Sequence, residues 1–488
     1  MEIAFKSASE LVEMILSNQI SSSDLLEVYI DRYEKYNGKI NAIITTSFDK
    51  ARLKAKKADS ALKNGEKWGA LHGLPITIKD NLEVIDMPCT SGSPSLKNHF
   101  PVKNADLVQR LLDQGAIIFG KTNLPLFGDD VQTHNKVFGQ TNNPWNLDRT
   151  PGGSSGGTAA ALAAGLTALD IGNDIGGSIR TPASFCGVYG HKPSFGIVPD
   201  RGMIPPMPKL FKGEYSLPTD IAVSGPLARS ADDLDLALSI IVSPELPDKK
   251  AWRIQLPDAR KTSLTEFKIG IWLDDPTCPV DSSVGDCLQN SVDALAKAGA
   301  IILDKKPAVS FEESWEIFIK ALNGTMSAGV PDGLFEKWLS KESKIQDSQD
   351  YQNRQISGSI QRHREWKIND FKRQILREKW AEYFKEIDVL LCPVTPIAAF
   401  PHDHTPWFDR MITVNNQERP YSDLMGWAGV TNVVYLPATI APSGFTPEGL
   451  PVGIQIVGPY LEDRTPIQLA RLMKDIVGGF EPPDDFRG

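Results

Sequence analysis

Cysteine is sparse in this 488-residue chain: five residues, Cys89, Cys186, Cys278, Cys287 and Cys392, scattered and without a C-x-x-C pair. That excludes a cysteine zinc site, gives no disulfide framework, and suits a reducing compartment with buried thiols. Basic charge is in deficit too, the net being −9 with a pI near 5.4. A general affinity for nucleic acid or an anionic membrane needs a basic footprint, which this composition does not supply. Long apolar runs are also missing. Nothing approaches the ~18 residues of a membrane helix, and the opening Met1-Glu-Ile-Ala-Phe-Lys6 lacks the basic and apolar regions of a secretory signal. There is no internal repeat, low-complexity tract or sustained heptad pattern. The expectation is a cytoplasmic protein that meets neither nucleic acid nor membrane, and whose ligand is small or neutral.

The composition, 41% hydrophobic and 23% charged, provides for a large core. The length suits about three ordinary domains, or one large α/β domain. Apolar periodicity predicts helices over 9–18, 21–36 and 50–64, the second opening on three serines and an aspartate suited to N-capping. These form a helical arm over about 1–62. Residues 71–80, Leu71-His-Gly-Leu-Pro-Ile-Thr-Ile-Lys79-Asp80, read as a short strand ending on a lysine. A helix over 106–114 closed by Gly115 and followed by an apolar strand at 116–119 is a scheme repeated over 283–303. Helix, glycine cap and apolar strand in alternation indicate an α/β sheet. After the serine loop described below, 166–170 reads as a strand. Residues 243–266 read as a surface connection, 312–322 and 355–385 as helices with Trp366, Phe371, Ile375, Trp380 and Phe384 as packing contacts, and 433–436 and 453–457 as returning strands.

Arg149-Thr-Pro-Gly-Gly-Ser-Ser-Gly-Gly-Thr158 is the chemically dense stretch: four glycines and two serines stand immediately before the small-residue helix 158–164. Backbone N–H groups at a helix N-terminus favour negative charge, so a phosphate cradle and a catalytic turn both suit it. The phosphate cradle needs a lysine closing the loop, and Gly156-Gly157-Thr158 has none. Gly152-Gly-Ser-Ser-Gly156 fits the G-x-S-x-G elbow of α/β-hydrolases, but the segment before it, 142–151, is rich in Pro and Asn and carries no strand. A second glycine-serine turn follows in Gly172-Asn-Asp-Ile-Gly-Gly-Ser178-Ile-Arg180. Its successive amides at Ile175, Gly176, Gly177 and Ser178 are placed to converge on one oxyanion.

Taken together and in order, these turns, Gly73-Leu-Pro-Ile-Thr-Ile-Lys79-Asp80, Gly120-Lys-Thr-Asn123, Lys192-Pro193, Gly225-Pro-Leu-Ala-Arg-Ser230, and residues 388–396 and 450–455 resemble the amidase signature family, serine hydrolases with a Ser-Ser-Lys triad. The likeness runs over nearly the whole chain. It implies a single α/β/α domain over 1–488 with a mixed, twisted central sheet covered by helices on both faces. The signature core would span about 70–235, a variable helical region about 305–385, and a return to the sheet about 386–488. It further implies Ser178 as nucleophile, Ser154 after a cis bond from Gly153 as relay, Lys79 as base, and no cofactor. Asn173 departs from the Ser or Thr more usual there, a difference expected to touch only local hydrogen bonding. Gly153, Ser155, Asp174 and Arg180 are expected to support the site.

The residue chemistry agrees with that assignment. A serine hydroxyl needs a base to take its proton as it attacks, and lysine can do so when burial lowers its pKa toward roughly 7 to 8. A second hydroxyl can accept from one partner while donating to the other. The pair His402 and His404 lacks a third ligand, so no metal is expected. The Pro-stiffened loop 201–212, with Met203 and Met207, and the later Tyr421 and Trp427 are expected to line an apolar substrate pocket. The expected substrate is a small, neutral, apolar aryl or alkyl amide, with carbamate or ester open. The expected form is a free-standing monomer or homodimer. The alternative is the glutamine-hydrolysing subunit of an aminoacyl-tRNA amidotransferase, whose glycine-rich Phe-Gly…Lys-Arg-Arg stretch has no counterpart between Asn323 and Arg377.

Overall fold

The computed structural model describes residues 2–205, 218–342, 345 and 350–487. The chain opens with α1 (Ala8–Leu16), held by a capping box between Ser7 and Glu10, and α2 (Ser22–Ile40), where the Ser21 hydroxyl accepts from the Asp24 amide. Strand β1 (Ile43–Thr46) and α3 (Phe48–Lys63) follow. Next come β2 (Pro75–Lys79), α4 (Asp106–Asp113) and β3 (Ile117–Thr122). β3 is the middle of a separate three-stranded sheet, antiparallel to β1 and parallel to β2. This small sheet delivers Lys79 at the end of β2. A short hairpin, β4 (His134–Asn135) with β5 (Gly139–Gln140), leads to the glycine loop.

Helix α5 (Gly156–Ala163) is buried along its whole length. Its glycines and alanines allow this, since Gly157 lies against the Asn123 backbone with no room for a side chain. Then come β6 (Leu169–Asp174), α6 (Arg180–Cys186), β7 (Tyr189–Lys192), β8 (Val223–Ala228), α7 (Ala231–Ile241), β9 (Lys268–Ile271), α8 (Ser282–Lys297) and β10 (Ile301–Leu303). Helices α9 (Phe311–Met326), α10 (Asp332–Leu339), α11 (Tyr351–Ser359) and α12 (His363–Tyr383) form the variable region. The chain returns through β11 (Val389–Pro393), the hairpin β12 (Met411–Val414) and β13 (Gln417–Pro420), α13 (Gly426–Asn432), β14 (Ala438–Phe445), β15 (Pro451–Val457) and α14 (Arg464–Val477).

The large sheet has eight strands in the order β10-β9-β11-β15-β14-β7-β8-β6. β10, β9 and β11 run parallel and every other pairing is antiparallel, which makes the sheet mixed, with helices packed on both faces. β11 and β15 are buried at every residue, the pattern of strands covered on both faces. All five cysteines are buried and free. Among the described residues no helix is long and apolar enough to cross a membrane.

Three elements differ from the expectation, as do two of the packing contacts on α12. The strand after α5 is not 166–170 but β6, which runs on through Asn173 and Asp174 because both pair in register with Ser224 and Val223 of β8. The ladder overrides the polar composition. The single helix expected over 355–385 is broken at Ile360 to Arg362: Gly358 sits against the Ile319 carbonyl and the Asn323 side chain, and α12 restarts with Glu365 accepting from the Arg362 amide. On α12 Trp380 and Phe384 are buried and Trp366 half-buried, whereas Phe371 and Ile375 are 62% and 54% exposed. Residues 433–436 form no strand but follow directly from α13, with Tyr435 left-handed at φ 69°.

Candidate active site

The site lies where the small sheet meets the large one. Lys79 is fully buried, and its Nζ donates to Ser154 Oγ at 2.7 Å, Ser155 Oγ at 2.9 Å and Asn173 Oδ1 at 2.6 Å. Burial pushes its pKa down to about 7 against the opposing pull of Asp174 and Asp170. The Asn173 amide is fixed in orientation, because its Nδ2 donates to Asn81 Oδ1 at 2.9 Å and Asn81 Nδ2 donates to the Ile204 carbonyl at 3.1 Å. Asn173 Oδ1 therefore only accepts from Lys79. The departure noted in the sequence thus lies directly on the lysine, a contact between residues 94 positions apart that no local pattern reveals.

The bond from Gly153 to Ser154 is cis, and so is that from Ile204 to Pro205. A side chain at Gly153 would run into the carbonyls of Asp130 and Gln132 at 2.6 and 2.7 Å, so glycine is required by contact alone. The Ser155 amide donates to the Ser178 carbonyl at 3.0 Å, tying the two glycine-serine turns together. Ser178 is partly exposed, unlike Ser154 and Ser155, which are buried.

Asp174 organises the second turn. It accepts from the amides of Gly177 at 2.9 Å and Ile179 at 3.1 Å, and from Arg180 Nε and Nη2 at 2.9 and 2.8 Å. Burial pushes its carboxyl up, but the Arg180 guanidinium prevails and holds it down at about 2. Arg180 Nη1 continues to the Ala428 carbonyl, Thr431 Oγ1 and Gln455 Oε1 at 3.0, 2.8 and 2.7 Å. Of the four amides read as an oxyanion hole, that of Gly177 is committed to Asp174. Those of Ile175, Gly176 and Ser178 carry no hydrogen bond among the described residues.

The expected pocket residues lie elsewhere than in an open wall. Met207 is outside the described residues. Met203 is buried, bridged to Leu82 and near Ser224 Oγ. Trp427 is 1% exposed, its Nε1 donating to the Cys278 carbonyl and its ring edge-on to Trp272 and Phe311. Tyr421 is buried with its hydroxyl on Asp130 Oδ1 at 2.8 Å. Large apolar and aromatic residues fill a core as readily as a pocket, so type alone does not separate the two. The wall against Gly176 is Phe318 and Met425, each 3.4 Å from where a Cβ would stand. On the other side Gly128 approaches Ser154 Oγ to 3.3 Å on the same measure. His404 is exposed, bonds Gln140 at 2.7 Å and packs on His134.

A family model described as Amidase matches residues 24–466. The chain is similar to a glutamyl-tRNA(Gln) amidotransferase subunit of Sulfurihydrogenibium sp., 30% identical over 96% of this chain and 97% of that one. Its fold is similar to that of a bacterial aryl acylamidase of the amidase signature family, with a TM-score of 0.79 and 26% identity over 97% of this chain and 96% of that one. It is also similar to a glutamyl-tRNA(Gln) amidotransferase subunit from Thermotoga maritima, with a TM-score of 0.76 and 22% identity over 99% and 98% of the two chains, a likeness of fold. With the family model spanning most of the chain and a buried lysine on paired serines at its centre, this protein belongs to the amidase signature family of hydrolases.

Proposed function

We propose that this chain hydrolyses the carbon–nitrogen bond of a small linear amide through an acyl-enzyme on Ser178. The observation that carries this reading is the buried Lys79, whose pKa of about 7 leaves much of it neutral at neutral pH. A neutral amine has two N–H donors and one lone pair, and three oxygens surround Lys79. Since Asn173 Oδ1 only accepts, the lone pair is turned to a serine hydroxyl. Ser154 donates its proton into that lone pair and accepts the proton of Ser178 as Ser178 Oγ attacks the carbonyl carbon. The amides of Ile175, Gly176 and Ser178 stabilise the resulting oxyanion. The ammonium of Lys79 then returns a proton through Ser154 to the leaving nitrogen, the carbon–nitrogen bond breaks, and ammonia or amine departs. Water adds to the acyl-enzyme by the same relay and releases the carboxylate.

Phe318 and Met425 beside Gly176 support an apolar group next to the scissile carbonyl, as in aryl or alkyl amides. We take the enzyme to act in the cytoplasm as a free-standing monomer or homodimer. The second reading, glutamine hydrolysis within an amidotransferase complex, draws on the similarity to amidotransferase chains. Assaying the isolated chain on a hydrophobic anilide and on glutamine, with ammonia measured separately, decides between them. Turnover of glutamine alone overturns the free-standing assignment.

The pH profile follows from Lys79. Below about pH 7 it is protonated and cannot accept, so kcat/KM rises with pH through about 7 to a plateau, provided chemistry limits the rate. Asn173→Asp places a carboxylate on the ammonium and favours the charged form. Its rise moves to higher pH by at least about one unit, a roughly tenfold loss near neutrality. A profile identical to that of the parent would show that Asn173 does not tune the base.

A further inference from the structure

The outward face of α12 carries a seam that the fold leaves uncovered. Arg364, Ile368, Phe371, Ile375 and Glu378 recur at spacings of four and three and are all exposed, Ile368 by 42% beside the more open Phe371 and Ile375. At 3.6 residues per turn these five fall within an arc of about 80° and span roughly 21 Å of helix. The buried residues of α12, Asn369, Arg373, Leu376, Trp380 and Tyr383, lie on the opposite side. Folding has used one face of this helix and kept a second apolar line in water. Single exposed aliphatics are ordinary, but three aligned along one seam mark a contact surface.

The two ends of the seam carry opposite charges. Arg364 stands one turn before Ile368, and Glu378 one turn after Ile375. Nearby charges are already engaged, Arg362 with Glu342 at 3.4 Å and Lys385 with Glu382 at 2.5 Å, whereas Arg364 and Glu378 have no ion-pair partner among the described residues. A surface of one sign, such as an anionic membrane, matches only one of these ends. A second copy of the same seam matches both. Arg364 and Glu378 each stand seven residues from Phe371, so an antiparallel copy related by a two-fold axis at Phe371 sets each arginine opposite a glutamate.

We propose that this seam is the interface of a homodimer in which two α12 helices pack antiparallel about a two-fold axis at Phe371. Ile368 of each chain lies beside Ile375 of the other, the Phe371 rings meet at the centre, and an Arg364–Glu378 ion pair closes each end. An aromatic centre with a charged rim is the usual anatomy of a specific interface. Because the same patch is used by both chains, the contact closes on itself and builds no longer assembly. A parallel pairing would set arginine against arginine and glutamate against glutamate, and opposed like charges repel. The proposal stands apart from the amide-hydrolase reading and commits the free-standing form to the homodimer.

Sedimentation equilibrium of the whole chain from about 0.5 to 200 µM measures the association, with a Kd on the order of 10 µM expected for so small an interface. The species at the upper end has twice the 53.6 kDa of one chain. Phe371→Lys weakens association by about a hundredfold, while circular dichroism and the thermal midpoint, which a folding defect would move, stay at the parent values. Arg364→Glu and Glu378→Arg each weaken it by about tenfold or more, since two attractions become two repulsions. Mixed in equal amounts, these two variants form a heterodimer about as tight as the parent dimer, because every replaced charge then faces its opposite. A monomer at all concentrations, association indifferent to Phe371→Lys, or a mixture no tighter than either variant alone overturns the proposal.

Discussion

Ser178→Ala reduces turnover by about five orders of magnitude or more, to the level that binding and oxyanion donors alone sustain. Ser154→Ala and Lys79→Ala each lose roughly three to five orders of magnitude in kcat, with the fold retained. The informative result is the double variant. Lys79 and Ser154 share one hydrogen bond of 2.7 Å, so in the proposed relay removing both is little worse than removing the worse one. Groups that act as a unit are lost together. Losses that multiply would mean that lysine and serine act independently, and near-full activity in Ser178→Ala would remove that residue from the chemistry. Single-turnover rates on an anilide, with circular dichroism to verify folding, provide the measurement.

The second large effect is on stability. Arg180→Met leaves the Asp174 carboxylate buried without its guanidinium and removes the donor to Ala428, Thr431 and Gln455. Breaking a buried pair from one side costs about 3–5 kcal/mol, a large share of the roughly 5–15 kcal/mol that holds a domain folded. Asp174→Asn costs a similar amount from the other side, and the double variant costs less than the sum, since neither charge is then stranded. Urea midpoints report all three. The pair also has a pH signature. The folded pKa of Asp174, about 2, lies below its ordinary 3.8, so its contribution is complete above about pH 4 and is lost as the pH falls through 2. Additive losses, or a urea midpoint that stays level between pH 5 and 3 in Arg180→Met and in the parent alike, would place the stabilisation elsewhere.

The residues proposed for the chemistry are the ones the sequence marks most plainly. Glycines and serines in fixed order, with a lysine ending an apolar strand, single out Lys79, Ser154 and Ser178 because backbone demands leave few alternatives at such turns. A helix with a cap is also readable: the serines opening the second helix mark its start, and Ser21 accepts from its first turn. What the sequence hides depends on contacts distant along the chain. β6 keeps Asn173 and Asp174 in strand because β8 pairs with them, and Gly358 ends α11 because α9 lies against it. Phe371 and Ile375 have the composition of a packed face and lie exposed, while Trp427, expected in a pocket wall, fills the core. Phe318 and Met425 carry no local signal. Only the folded chain brings them to the serines.

The lysine and the asparagine that accepts from it belong to different sheets. Lys79 ends β2 of the small one, while Asn173 and the Ser178 turn extend from β6 of the large one. The junction is fastened by the Thr77 amide on Thr167 Oγ1 at 3.1 Å, and by Asp170 Oδ2 accepting from Thr77 and Thr122 at 2.6 and 3.1 Å. Both sheets can therefore keep their own ladders while the gap between them widens by less than an ångström, and proton transfer would already be interrupted. Partial openings of this kind require less free energy than global unfolding. On gentle heating, catalysis should fade before ellipticity or tryptophan fluorescence changes, return on cooling, and persist to higher temperature when a ligand spans the two sheets. Amide exchange at Thr77 would accelerate over the same interval as activity declines.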